Sequence, residues 1–187
     1  MSSHLPFVAV TAWGRRSAAL DRFARSIAGA DSAIDTLTAW CGGEPPVTRI
    51  HMREETVALP EEALLLRTPA AVRVQRRHVT HRRRGGAVLC DARATVWLDN
   101  PLLPAQMVRR LRSAPLPLGQ VLRPLGVRRH TTSVSRRHDD RRPVGDADED
   151  RPVLLVRATL LVAGQPVALV EETYLEAVLS RTGSGAS

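Results

Sequence analysis

An antiparallel α+β fold is what this sequence predicts, and three observations predict it. β-type runs occur as neighbouring pairs around glycine turns. Helical spacing is confined to separate stretches, and no β–α–β alternation runs along the chain. The expected architecture is therefore a single domain, an antiparallel β-sheet with helices packed on one side. At 187 residues the chain is long enough for a substantial hydrophobic core.

Each element has its own justification. Residues 1–15 read as a loosely ordered lead-in to a domain over 16–180. From Arg16 to Ala30, Leu20, Phe23, Ala24 and Ile27 recur at i, i+3, i+4 and i+7, which is one helix face. Asp31-Ser32 offers an N-cap to a second short helix carrying Ile34, Leu37 and Trp40, and Gly42-Gly43-Glu44-Pro45-Pro46 ends it. Helical signal is then absent for about fifty residues. Val47–Leu59 alternates as a strand, and Ala71–His81 and Ala87–Leu98 flank Gly85-Gly86 as a hairpin. Pro101–Leu111 returns to helical spacing. A Pro-rich connector, Ala114 to Gly119, opens a short apolar segment ending at Leu125. Val127–His138 is a more polar strand, and Val153–Val162 with Val167–Leu175 forms a second hairpin around Gly164. Residues 139–151 are dense in charge and read as a surface loop insertion; 181–187 read as a flexible tail.

Composition excludes several classes. Hydrophobic residues make up 43% of the chain, which argues against wholesale disorder, and aromatics only 3%, so packing rests on Leu, Val and Ala. No apolar run approaches the length of a membrane span. The N-terminus lacks the basic flank and long apolar stretch of a secretory signal. Two cysteines, Cys41 and Cys90, are too few for a disulfide framework or a complete zinc site, and the histidines fall in no metal-binding spacing. A cytoplasmic protein with no metal is the expectation. All 27 basic residues are arginine, and the net charge is +8. Exclusive use of Arg alongside abundant Ala looks like the codon bias of a GC-rich genome. Aromatic stacking residues near the Arg cluster are lacking, which argues against nucleic acid as a partner.

Two features carry chemistry. In Val72–Val79, alternation places Arg73, Gln75 and Arg77 on one face and Val72, Val74, Arg76 and His78 on the other. A guanidinium on a sheet face can be solvated charge or an anion clamp. Glu171 and Glu172 end an apolar run, so one of the two points toward whatever that run covers. A carboxylate there costs several kcal/mol unless it is paired.

Taken in order, the short motifs resemble those of chorismate pyruvate-lyases and their actinobacterial relatives. They are Arg77-His78-Val79, Ala92-Arg93-Ala94, Leu103-Pro104, Pro117-Leu118-Gly119-Gln120-Val121-Leu122, Arg157-Ala158-Thr159-Leu160, Gly164-Gln165-Pro166 and Glu172-Thr173-Tyr174-Leu175. The resemblance spans about residues 20–179. The same chorismate-lyase-like fold serves as the effector-binding domain of GntR-type repressors.

The resemblance implies a lyase that eliminates pyruvate from chorismate to give 4-hydroxybenzoate, without a cofactor. Its alternative is a non-catalytic module binding an aromatic carboxylate. The family's essential Arg falls on Arg77, with Arg76 one register away, and its Glu on Glu172, with Glu171 as the alternative. The ligand-contacting turn falls on Leu118 and Gly119, and a flap residue on Leu37. Arg157 is a candidate second anion partner or a counter-charge to Glu172. The implied partner is a small molecule, with neither nucleic acid nor membrane, and a monomer is expected.

Overall fold

The structure, a computed structural model, describes residues 7–137 and 149–180, with side chains from Gly14 onward. Residues 1–6, the 181–187 tail and all but the last three residues of the 139–151 insertion lie outside the described residues. Six strands form one antiparallel sheet in the order β1-β2-β3-β6-β5-β4. They are β1 (Val47–Val57), β2 (Arg73–Arg82), β3 (Val88–Trp97), β4 (Arg128–Arg136), β5 (Pro152–Val162) and β6 (Gln165–Leu175). The helices are α1 (Phe7–Ala28), α2 (Ala33–Trp40), α3 (Pro60–Leu66), α4 (Ala105–Ser113) and α5 (Leu118–Leu122). Short 3-10 turns follow at Arg123–Leu125 and Glu176–Val178.

Both expected hairpins form. β5 and β6 are joined by Ala163 and Gly164, both at positive φ, the backbone that two-residue hairpin loops demand. Helix α2 is capped as its sequence predicts, with Ser32 Oγ accepting a hydrogen bond from Asp35 N at 3.2 Å.

Three boundaries differ from expectation. α1 begins at Phe7, so most of the expected lead-in is helix. α4 begins at Ala105 rather than Pro101, because Asn100 Oδ1 takes the Leu102 N–H and holds Pro101–Leu103 in a turn. α3 interrupts the stretch read as free of helix. Its signal was present: Pro60 stands at the first turn, and the Glu62 carboxylate accepts from Leu59 N at 2.8 Å.

Side-chain alternation divides the sheet into two faces. The register pairs Arg77 with Ala94, Ala94 with Val170 and Val170 with Ala158, so these four share a face with Val79, Ala92, Glu172 and Val156. That face is covered by two separate clusters. Phe23 and Ile27 of α1 and Leu37 of α2 pack on Val79, Ala92, Val156 and Tyr174. Met107 and Leu111 of α4, with Val121 and Leu122 of α5, pack on Val96, Leu160 and Ala168. Among the described residues the opposite face carries only α3, whose Ala63 and Leu66 meet Val74 and Leu169. The apolar helices thus cover one face at its two ends, and the interval between them stays hollow.

Candidate functional site

A cavity of about 410 Å³ fills that interval. Its floor is the sheet: Arg77, Val79 and His81 from β2, Ala92 and Ala94 from β3, Leu160 from β5, Val170 and Glu172 from β6, with Arg129 at the β4 side. One wall is the α1–α2 connection with the start of α2, from Asp31 to Asp35; the other is Pro117 to Gln120. The volume lies in the range of small-ligand sites, and mainly apolar walls with a few convergent polar groups are their usual chemistry.

Arg77 is the distinctive polar group. It is 2% exposed, yet no carboxylate reaches it among the described residues. Its Nη atoms donate to backbone carbonyls, Leu111 O at 3.3 Å and Leu116 O at 2.8 Å, and its Nε has no partner. Leu111 lies in the last turn of α4, whose C-terminal carbonyls favour a cation. Burial, together with the nearby Arg53, pulls the Arg77 guanidinium down to about 10, which leaves it charged at neutral pH. Arg53 is itself tied back to Arg112 O and Ala114 O.

Glu172 is 6% exposed, and one of its oxygens is held from within the protein. Its Oε2 accepts from Arg129 Nη2 and from the Tyr174 hydroxyl, both at 2.8 Å. Arg129 donates its other Nη to Ile27 O and Thr131 Oγ1, which ties β4 to the end of α1. Burial, reinforced by the Glu172 charge, pushes the Tyr174 hydroxyl well up, so it stays protonated and donating. Burial and Glu172 push the Cys90 thiol up in the same way, which leaves it a packing residue without nucleophilic character. His81 Nδ1 lies 3.0 Å from Thr48 Oγ1, and burial holds the ring down to about 4, so it is neutral. Two arginines and one glutamate therefore leave the buried floor one positive charge in excess.

The structure brings Arg77, Glu172, Leu118 and Gly119 to this cavity. A Cβ built on Gly119 would meet nothing within 4 Å, so the backbone there borders open space. The other two expected residues lie elsewhere. Arg157 pairs with Glu171 in the β5–β6 register, and its Nε donates to Glu171 Oε2 at 2.8 Å on the opposite face. Its distance from the cavity follows from strand alternation, and the counter-charge to Glu172 is Arg129 instead. Leu37 is fully buried in the core against Phe23 and does not line the cavity; Ile34, one turn earlier on α2, does. Arg76 faces α3, where it binds Glu62 at 3.0 Å.

Sequence reasoning missed Arg129, His81 and the Asp31–Asp35 wall as site residues. Arg129 sits in a polar strand whose partner becomes visible only once β4, β5 and β6 lie side by side.

No family model and no curated protein matches the chain. Solved structures do. The effector domain of PhnF from Mycobacterium smegmatis aligns with a TM-score of 0.58 at 15% identity, covering 84% of this chain and 96% of that one. The fold is chorismate-lyase-like. A structure of PhnF from the same organism aligns with a TM-score of 0.56 at 17% identity, over 85% of this chain and 70% of that one. At these identities the likeness establishes the chorismate-lyase-like fold, and the ligand must be argued from the cavity's own chemistry.

Proposed function

We propose that this domain is a non-catalytic binding module for a small organic anion, one with a ring-sized apolar body. The observation that carries this reading is Arg77: a buried guanidinium bordering the hollow, with carbonyl partners and no counter-ion among the described residues. An uncompensated buried cation is costly, and an incoming carboxylate relieves that cost through a charge-assisted, bidentate contact. Val79, Ala92, Leu160 and Val170 provide apolar surface for the body of the ligand. The neutral His81 adds a polar contact without altering the charge balance. The solved neighbour named as the effector domain of PhnF fits the same reading.

Pyruvate elimination from chorismate is a second reading, favoured by the meeting of Arg77 and Glu172 in one cavity. In it Arg77 holds a substrate carboxylate while Glu172 bonds the ring hydroxyl. Against it stands Glu172 Oε2, which already takes Arg129 and Tyr174 and so leaves only Oε1 for a ring hydroxyl. Incubation of the purified protein with chorismate, followed by chromatography for 4-hydroxybenzoate, separates the two. Saturable 4-hydroxybenzoate binding with no enzymatic release of pyruvate supports the module. Turnover abolished by Glu172→Gln transfers the case to the lyase.

A further inference from the structure

The exposed apolar side chains of this chain are not scattered. Among the described residues, six of the seven large ones lie between residues 47 and 65: Val47, Met52 and Val57 on β1, and Leu59, Leu64 and Leu65 on or beside α3. Among the described residues β1 is also the edge of the sheet, so alternate N–H and C=O groups along its eleven residues face outward with no strand paired to them. An open hollow runs along that edge, bordered by Val47, Ile50, Met52 and Pro115. Charge marks this edge, through Arg49, Arg53, Glu54 and Glu55, so a pairing strand must match those charges, while Met52 stays 40% exposed at its middle.

The edge is complementary to itself. β1 carries a bulge between Ile50 and Met52, with His51 the extra residue. Across the bulge, Arg49, Met52 and Glu54 lie opposite Thr80, His78 and Arg76 and so share the open face. Place a second β1 antiparallel to the first with the two Met52 residues facing each other on a two-fold axis. Counting His51 out of the ladder, Arg49 then faces Glu54 of the partner subunit, and Glu54 faces the partner's Arg49. Both side chains are exposed, and Arg49 forms no ion pair among the described residues. Arg76, opposite Glu54, gives its hydrogen bonds to Glu62 instead. Opposite charges directly across an antiparallel pair stabilise it, and the symmetric arrangement repeats the pair.

We infer that β1 is the interface of a two-fold homodimer, in which antiparallel β1–β1 pairing joins two six-stranded sheets into one. Met52 packs on its own symmetry mate, and Arg49–Glu54 pairs on either side set the register. The exposed Leu65 of α3 borders a hollow on the open face together with Met52, adding apolar area to an edge too narrow to hold a stable dimer alone. This departs from the monomer expected of the sequence, and it is independent of what the cavity binds.

Sedimentation equilibrium over a dilution series from micromolar to near-millimolar tests it. Wild-type protein should approach twice the chain mass. Arg49→Glu and Glu54→Arg should each be monomeric, because each reversal sets like charges across the seam. Mixed together, those two variants should form a heterodimer. One chain then presents only acidic groups at the two positions and the other only basic ones, so opposite charges meet at both ends of the seam. Equal thermal melting of each variant and wild type, by circular dichroism at low concentration, excludes misfolding. A wild-type chain that stays monomeric throughout, dimers indifferent to both reversals, or variants that fail to pair on mixing would each overturn the inference.

Discussion

The two faces of the sheet treat the same side-chain chemistry in opposite ways, and Glu171 and Glu172 show it within one residue. Glu172 and Arg129 are 7% and 3% exposed at their side chains; Glu171 and Arg157 are 42% and 60% exposed. Both pairs close at 2.8 Å. Their surroundings set their worth. Water screens the exposed pair, whose contribution falls to about 0.2–1 kcal/mol. The buried pair has lost its solvation, so removing one partner strands the other at about 3–5 kcal/mol. The other charges follow suit. Arg76–Glu62 and Arg157–Glu171 pair up on the open face, whereas Arg77 lies on the cavity face with no carboxylate among the described residues.

The largest difference should appear on removing each glutamate. Glu172→Ala should lower unfolding free energy by about 3 kcal/mol or more in urea, against under about 1 kcal/mol for Glu171→Ala. Adding Arg129→Met to Glu172→Met should restore most of the loss, because no charge is then left stranded. A loss of similar size for both single substitutions would erase the contrast between the faces.

His81 sharpens the contrast through pH. Its folded value, about 4, lies below the ordinary 6.5, so the unfolded chain binds the extra proton between them. Stability is therefore lost as pH falls from about 6.5 toward 4, on the order of 3 kcal/mol in all. His81→Gln should flatten that part of the stability profile. The lowered Glu62 and Asp99 carboxyls, each held down with help from an arginine hydrogen bond, add their own losses below their ordinary values of 4.5 and 3.8. An unchanged slope in His81→Gln would show that some other group titrates there.

The smallest effect belongs to Arg157. Arg157→Ala should change stability by less than about 1 kcal/mol and leave anion binding in the cavity unaltered. A marked loss of binding would return it to the site.

Much of this was legible in the sequence where local chemistry decides it. The helix phase of Phe23 and Ile27, the Ser32 cap and the two hairpins follow from short-range pattern, whereas alternation in β2 grouped Arg77 with Gln75 without telling which face is buried. The face of Arg157 did not, because β5 is apolar on both sides and shows no period. The register against Glu171 fixes it. Arg129 was equally hidden, since its partners Ile27, Thr131 and Glu172 converge only across three strands and the end of a helix. Leu37 had the periodicity of a buried residue, and burial is where the fold uses it. Ile34, one turn away, lines the cavity in its place.

Titration calorimetry with 4-hydroxybenzoate, and with the uncharged 4-hydroxybenzyl alcohol, on wild type and Arg77→Gln tests the cavity's central feature most directly. The account predicts saturable binding of the carboxylate to wild type, at least tenfold weaker binding of the alcohol, and loss of that preference in Arg77→Gln. Equal affinity for acid and alcohol, or a preference that survives in Arg77→Gln, would contradict it.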